Sequence, residues 1–229
     1  MQNVSAKAFV AEGVGSAWLV LSGSGTAVLA AGFPVLGVGF LGIAVAWGVG
    51  LLTAGYGLGR HALAGFMPTI AVGMWCAGAL SFRQCAVGIV AQVLGSVLGA
   101  GVLWLIVSQI PSFDVHQGFA GNGYEALSPG GFSLASVALT ECVMAFFLVV
   151  VVMSGHPAHR NILVAGGVVV VAMLTVTVDN AMVSSARSVA VALFAGGEWL
   201  HQQWLFQLAP CIGAVAGGVC VRLLRLLPP

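Results

Sequence analysis

The sequence predicts an all-α membrane protein in which six transmembrane helices and two short re-entrant half-helices form an inverted repeat. Three observations carry this reading. Of the 229 residues, 60% are hydrophobic and only 6% charged, with a mean hydropathy of +1.09, whereas a soluble domain carries about 25% charged residues. Six apolar runs reach the ~20 residues that a helix needs to cross the hydrocarbon core. Two further stretches, residues 65–78 (GFMPTIAVGMWCAG) and 179–197 (DNAMVSSARSVAVALFAGG), are too short and interrupted to cross. They lie at matching places in the two halves of the chain, the strongest pointer that sequence offers to a transport site.

The spanning runs lie at about 8–31, 35–58, 83–108, 132–154, 161–178 and 203–226. The first follows Lys7 and lacks a small-residue cleavage site, so it reads as a retained helix and not a signal peptide. Links between runs are short: Gly32, Phe33 and Pro34, then the turn around Arg60, then Leu80 to Arg83. The polar loop 109–131 divides the chain into halves with one order: helix, helix, half-helix, helix. Three crossings per half put the halves in opposite orientations, giving one domain over 1–229 with repeats at about 1–115 and 128–229. In the first half-helix Pro68 suits the first helical position and Gly78 the end. The second opens at Ser184 and Ser185, good N-cap residues, and closes at Gly196 and Gly197. Small residues in LGSVLGAG (94–101) and GAVAGG (213–218) predict close helix contacts.

Charge tests this layout independently. Lys7, Arg60, Arg83, Arg160, Arg222 and Arg225 fall on one side, whereas Asp114, Glu125, Asp179 and Glu198 fall on the other. By the positive-inside rule the basic side is cytoplasmic, which places both termini there in a multi-pass protein of the cell's inner (plasma) membrane. The net charge of +1 gives no reason to expect a nucleic-acid partner. No serine, histidine and carboxylate recur at catalytic spacing and no glycine-rich loop follows a strand, so the chain reads as no enzyme and needs no cofactor or metal.

Polar groups at membrane depth are costly and mark function or structural support. Glu12 and Glu141 each occupy the first helix of a half. Each carboxylate is expected to face inward and accept N–H groups from a folded-in loop; a proton relay is the alternative. Arg187 lies in the first turn of the second half-helix, where irregular backbone is tolerated only beside protein or a wet cavity. It marks a pore. Asp179, eight residues earlier, attracts cations toward the mouth, pairs with that arginine, or is a solvated carboxylate. His61 either gates the mouth by protonation or is a solvated loop residue. His116, His156, His159 and His201 read as loop residues. Trp75, Trp104, Trp199 and Trp204 read as interfacial anchors. Cys76, Cys85, Cys142, Cys211 and Cys220 lack metal-ligand spacing and read as buried small hydrophobes.

Together these features resemble the aquaporin, or major intrinsic protein, family, above all its bacterial members, over nearly the whole chain. The residues that carry the resemblance include Glu12 with Trp18, Leu19 and Val20, the run GTAVLAAGFP from Gly25 to Pro34, Gln92, the loop GFAGNGYEALSPGG from Gly118, Glu141, Asn180, Ala186-Arg187-Ser188 and LFAGG from Leu193. The resemblance implies a passive channel, a lipid-embedded homotetramer with one pore per subunit, and passage of water or small neutral solutes.

The departures lie where that family's mechanism lives. Its two Asn-Pro-Ala triplets fall at Met67-Pro68-Thr69 and Ser184-Ser185-Ala186, so both asparagines are missing. Ser184 can still cap its half-helix and donate through its hydroxyl; Met67 can do neither. The resemblance places the outer selectivity filter at Trp47, Ala172, Ala181 and Arg187, against Phe, His, Thr and Arg in water-conducting members. Trp47 with small partners is similar to the glycerol-conducting branch, yet Ser188 follows the arginine where that branch has Asp. The run from Arg60 to Gly65 also replaces the family's glycine and histidine pattern. Three readings follow: a water channel of altered or reduced permeability, a facilitator of glycerol, urea or ammonia, or an engineered or degenerate scaffold plugged by Met67 and Trp47.

Overall fold

Serine begins three of the long helices, because its oxygen can satisfy an N–H that lacks a helical partner. The described residues, 4–33, 35–180 and 183–226 of a computed structural model, form α1 (Ala6–Leu29), α2 (Gly39–Leu58), α3 (Pro68–Cys76), α4 (Phe82–Val107), α5 (Leu134–Ser154), α6 (Arg160–Asp179), α7 (Ser185–Ala195), α8 (Gly197–His201) and α9 (Gln203–Leu226). Ser5, Ser81 and Ser133 precede α1, α4 and α5 with ψ of 149°, 155° and 159°, and each accepts an N–H of the first turn. Gln84 returns the favour at Ser81 by accepting its backbone N–H at 2.9 Å. Pro34 and Ala181 lie outside the described residues.

Five spans, built on α2, α4, α5, α6 and α9, are apolar and long enough to cross a membrane. α1 is the sixth. Its 24 residues reach ~36 Å at 1.5 Å each, and glycine, serine and Glu12 dilute its hydropathy because its inner face is polar. The run expected from residue 35 becomes helical only at Gly39; Val35 and Gly39 have φ of 67° and 57°, so a tight left-handed turn occupies the gap. The short helices α3 and α7 have 9 and 11 residues. Neither can cross.

Bare backbone sets the closest helix contacts. A Cβ on Gly95 would sit 2.0 Å from the Gly13 carbonyl oxygen, and one on Gly213 would sit 2.0 Å from that of Cys142. The first contact seats α4 on α1 and the second seats α9 on α5, the matching pairs of the two halves. Small residues let backbones approach where no hydrophobic force drives association. The polarity is inverted relative to a soluble protein. Glu12, Gln92, Glu141, Asp179 and Arg187 are buried, whereas Val90, Leu98, Phe147, Val170 and Ile212 are exposed on the outer helix faces, where acyl chains meet them. Cys85 is buried as expected, but Cys211 is exposed on α9 because it lies on that outer face.

Candidate pore

The two half-helices are delivered by loops that the surrounding spans hold in shape. Residues 59–67 fold into the bundle ahead of α3, and Glu12 on α1 gathers their N–H groups. Its Oε1 accepts from Leu63 (2.6 Å) and Ala64, and its Oε2 accepts from Phe66 (3.0 Å) and from the Gln92 side chain (2.8 Å). Ser16 completes the clamp by donating to the Phe66 carbonyl at 2.9 Å. Glu141, 1% exposed, lies on α5 in the matching half.

One feature is repeated at both loop ends. Phe66 and Val183, each one residue before an N-cap, have φ of 65° and 47°. Left-handed backbone at a residue with a Cβ costs ~1–2 kcal/mol, and it persists only where the surroundings over-determine it. Here they do. Phe66 is held by Glu12 and Ser16, and the Val183 carbonyl accepts the Thr69 hydroxyl from the opposite half-helix. That bond joins the start of α3 to the start of α7, so the two N-termini meet inside the bundle.

Met67 and Ser184 are the N-cap residues, and Pro68 takes the first position of α3. Neither side chain makes a cap bond. For Ser184 this corrects the expectation that it caps: its ψ of 96° lies far from the 149–159° of the three serines that do cap, so its oxygen is turned away from the first-turn N–H groups. Ser185 and Ala186 continue as the first residues of α7.

Arg187, 1% exposed, projects from that first turn into a cage of neutral acceptors. Its Nε donates to Ser24 Oγ (3.1 Å), Nη1 to Asn122 Oδ1 and the Asn180 carbonyl (3.0 Å), and Nη2 to the Ala120 carbonyl. Trp47 faces it, with the guanidinium carbon 5.3 Å from the ring centroid. The indole fills the space beside α1 where Gly23 lacks a side chain. Ala172 on α6 joins the same apolar cluster as Trp47, Leu51, Phe66, Met67 and Val183. Water reaches almost none of the surface of Trp47, Met67, Ala172 or Arg187, which are 0–2% exposed. Ala181, expected as the fourth filter position, lies outside the described residues. Beyond Arg187 opens a cavity of about 390 Å³, lined in part by Phe40, Ile43, Ala120, Asn180 and Trp199; at ~30 Å³ each it has room for about a dozen waters.

A profile of the major intrinsic protein family matches residues 1–221. The chain belongs to that family. Among its relatives in the family are the aquaporin Z proteins of Bradyrhizobium diazoefficiens, 40% identical over 97% of this chain and 95% of that one, and of Rhodopseudomonas palustris, 40% identical over 96% and 94%. The X-ray structure of the aquaglyceroporin from Plasmodium falciparum superposes with a TM-score of 0.76 over 96% of this chain and 99% of that one. At 16% identity that likeness concerns the fold alone.

Several residues around Arg187 escaped sequence reading. Ser24 is one serine among many in α1, and Asn122 sits in a polar loop; only their meeting at Arg187 gives them a part. Asp179, 0% exposed, is no solvated carboxylate, because Asn122 reaches down from the loop to its carbonyl at 3.1 Å and closes the space above it. His116 is anchored too: its Nδ1 lies 2.7 Å from the Ala195 carbonyl at the end of α7, and its own carbonyl accepts from Trp199 Nε1 at 3.1 Å. Trp199 therefore braces the loop between α4 and α5.

Proposed function

We propose that the protein is a passive water channel of the plasma membrane, with its passage running between the facing N-termini of α3 and α7. The observation that carries this reading is the junction itself, where Thr69 is bonded to Val183 and Arg187 projects from the same turn. Each half-helix end presents roughly half a positive charge and several free N–H groups. Those ends and Arg187 repel cations and offer donors to the oxygen of a neutral molecule, the general basis of selectivity in narrow pores. Because the Ser184 hydroxyl is not used as a cap, it is available as the midplane donor. Met67 supplies none, so the midplane is more apolar than in members with paired asparagines, and permeability is reduced.

Trp47, Ala172, Ala181 and Arg187 form the filter in this reading, and Met67, Pro68, Thr69, Ser184, Ser185 and Ala186 line the midplane. Glu12 and Glu141 hold the two re-entrant loops. The lipid-embedded assembly is a homotetramer with both termini cytoplasmic, consistent with Arg160 and Arg225 converging on Met153 at one end of the bundle. It is a channel and not an enzyme.

One observation favours a second reading, a non-conducting scaffold: the burial of Trp47 and Met67, which fill the space where a passage would run. Stopped-flow light scattering on proteoliposomes separates these. Shrinkage under sucrose faster than in empty vesicles supports the channel, and re-swelling under glycerol extends it to polyols. Rates equal to empty vesicles under both support the scaffold.

A further inference from the structure

We propose that a cavity behind the half-helix junction binds a neutral, phenol-sized molecule that carries one hydroxyl and enters from the bilayer. Binding there does not depend on whether the passage conducts.

The cavity, about 160 Å³, lies between α3, α4, α7 and α9. Trp47 and Ala172 approach the junction from α2 and α6, and neither they nor Arg187 line it. An apolar cavity of ~150 Å³ holds one benzene ring, so this volume admits a single small ring. Val72, Ile89 and Val93 supply apolar walls, and among the described residues no charged side chain lines the space, which selects an uncharged occupant. Thr69, Ser185 and Gln207 add polar groups from three helices. Thr69 is 2% exposed, and its hydroxyl donates to the Val183 carbonyl, which leaves its oxygen able to accept. Gln207 Nε2 donates to the Ser185 carbonyl at 3.2 Å. Among the described residues that is the one hydrogen bond of its amide, where an amide has two donors and an acceptor oxygen to satisfy. Polar groups at membrane depth are costly without partners, and a hydroxyl beside Gln207 supplies both a donor and an acceptor. Access comes from lipid. Ile89, Val93, Gln207 and Cys211 adjoin the exposed Val90, Leu94, Leu208 and Ile212 on the outer faces of α4 and α9, and Cys211 is itself exposed. A molecule dissolved among the acyl chains therefore reaches the cavity without entering the passage, and it rests against the turn that joins the two half-helices.

The test uses the full chain in phosphatidylcholine vesicles, photolabelled with 3-azidophenol and mapped by peptide mass spectrometry. The adduct is expected at Cys211, the nucleophile that lines the cavity. Phenol at about ten times its half-saturating concentration should cut that adduct about tenfold by mass action, while any adduct at Cys220, farther along α9, stays unchanged. Val93→Phe, which fills the cavity, should lower the Cys211 adduct to a similar degree. In Gln207→Leu, phenol should compete about fivefold less well, the worth of one neutral hydrogen bond, whereas benzene competes equally in parent and variant. Labelling of Cys211 that rises in proportion to the probe and that phenol does not reduce is partition into lipid only and overturns the site. Equal competition by phenol in parent and Gln207→Leu overturns the recognition of a hydroxyl. Where Gln207→Leu fails to fold, phenol against benzene in the parent decides the same point: equal potency at equal concentration in the bilayer overturns it.

Discussion

Replacing Glu12 by glutamine keeps the shape of the side chain and removes one acceptor oxygen. In the parent each oxygen serves two donors: Leu63 and Ala64 on Oε1, Phe66 and Gln92 on Oε2. Glutamine retains one oxygen and turns an NH₂ toward the other two donors, which are then buried without partners. At ~1–3 kcal/mol for each orphaned donor, the loss is about 2–6 kcal/mol. For a chain of this size each kcal/mol moves the melting midpoint by ~2–4 °C, so Glu12→Gln should melt at least about 4 °C below the parent. The donors lie in the loop that leads straight into Met67 and α3, so water permeability should fall with stability. The assay is tryptophan-fluorescence melting in mild detergent, paired with stopped-flow shrinkage after reconstitution. A variant that melts with the parent and conducts as well would refute the claim that this carboxylate holds the loop.

Met67→Asn places a cap and an amide donor on a backbone already extended at ψ 130°; it should gain ~1 kcal/mol of stability and raise water flux, and an unchanged flux in stopped-flow shrinkage would locate the barrier at Trp47. Trp47→Ala removes a buried ring at a cost of ~3–5 kcal/mol and should open the filter, read as glycerol re-swelling that the parent lacks. Asn122→Ala strips one acceptor from Arg187 and one donor from the Asp179 carbonyl; a loss of ~1–3 kcal/mol follows, measured as a lower melting midpoint. Gly95→Val drives a side chain into the Gly13 carbonyl, 2.0 Å from where its Cβ must sit, and should abolish the monodisperse peak on size exclusion.

Much of the fold is legible because lipid imposes a strict length on any crossing helix, and 9- and 11-residue helices between longer runs stand out. Pro68 and Gly196 mark the ends of the half-helices by local backbone preference alone. The start of α2 is less legible, since residues 35–38 are apolar enough to continue a span and only the left-handed φ of Val35 and Gly39 shows the turn. In the pore region, residue type reveals that Arg187 and Glu12 are out of place in a membrane. Apart from the Asn180 carbonyl, their partners lie 51 to 163 positions away, which no local pattern encodes. Ser184 shows the same limit at close range. Serine favours the cap position, but at a ψ of 96° Ser184 makes no cap bond.

The central claim is that water crosses between the facing tips of α3 and α7. Osmotic shrinkage of vesicles reconstituted at increasing protein-to-lipid ratios tests it most directly. The account predicts a rate constant that rises in proportion to the number of chains per vesicle. A rate constant that stays at the empty-vesicle value at every ratio, with folded protein present, would contradict it.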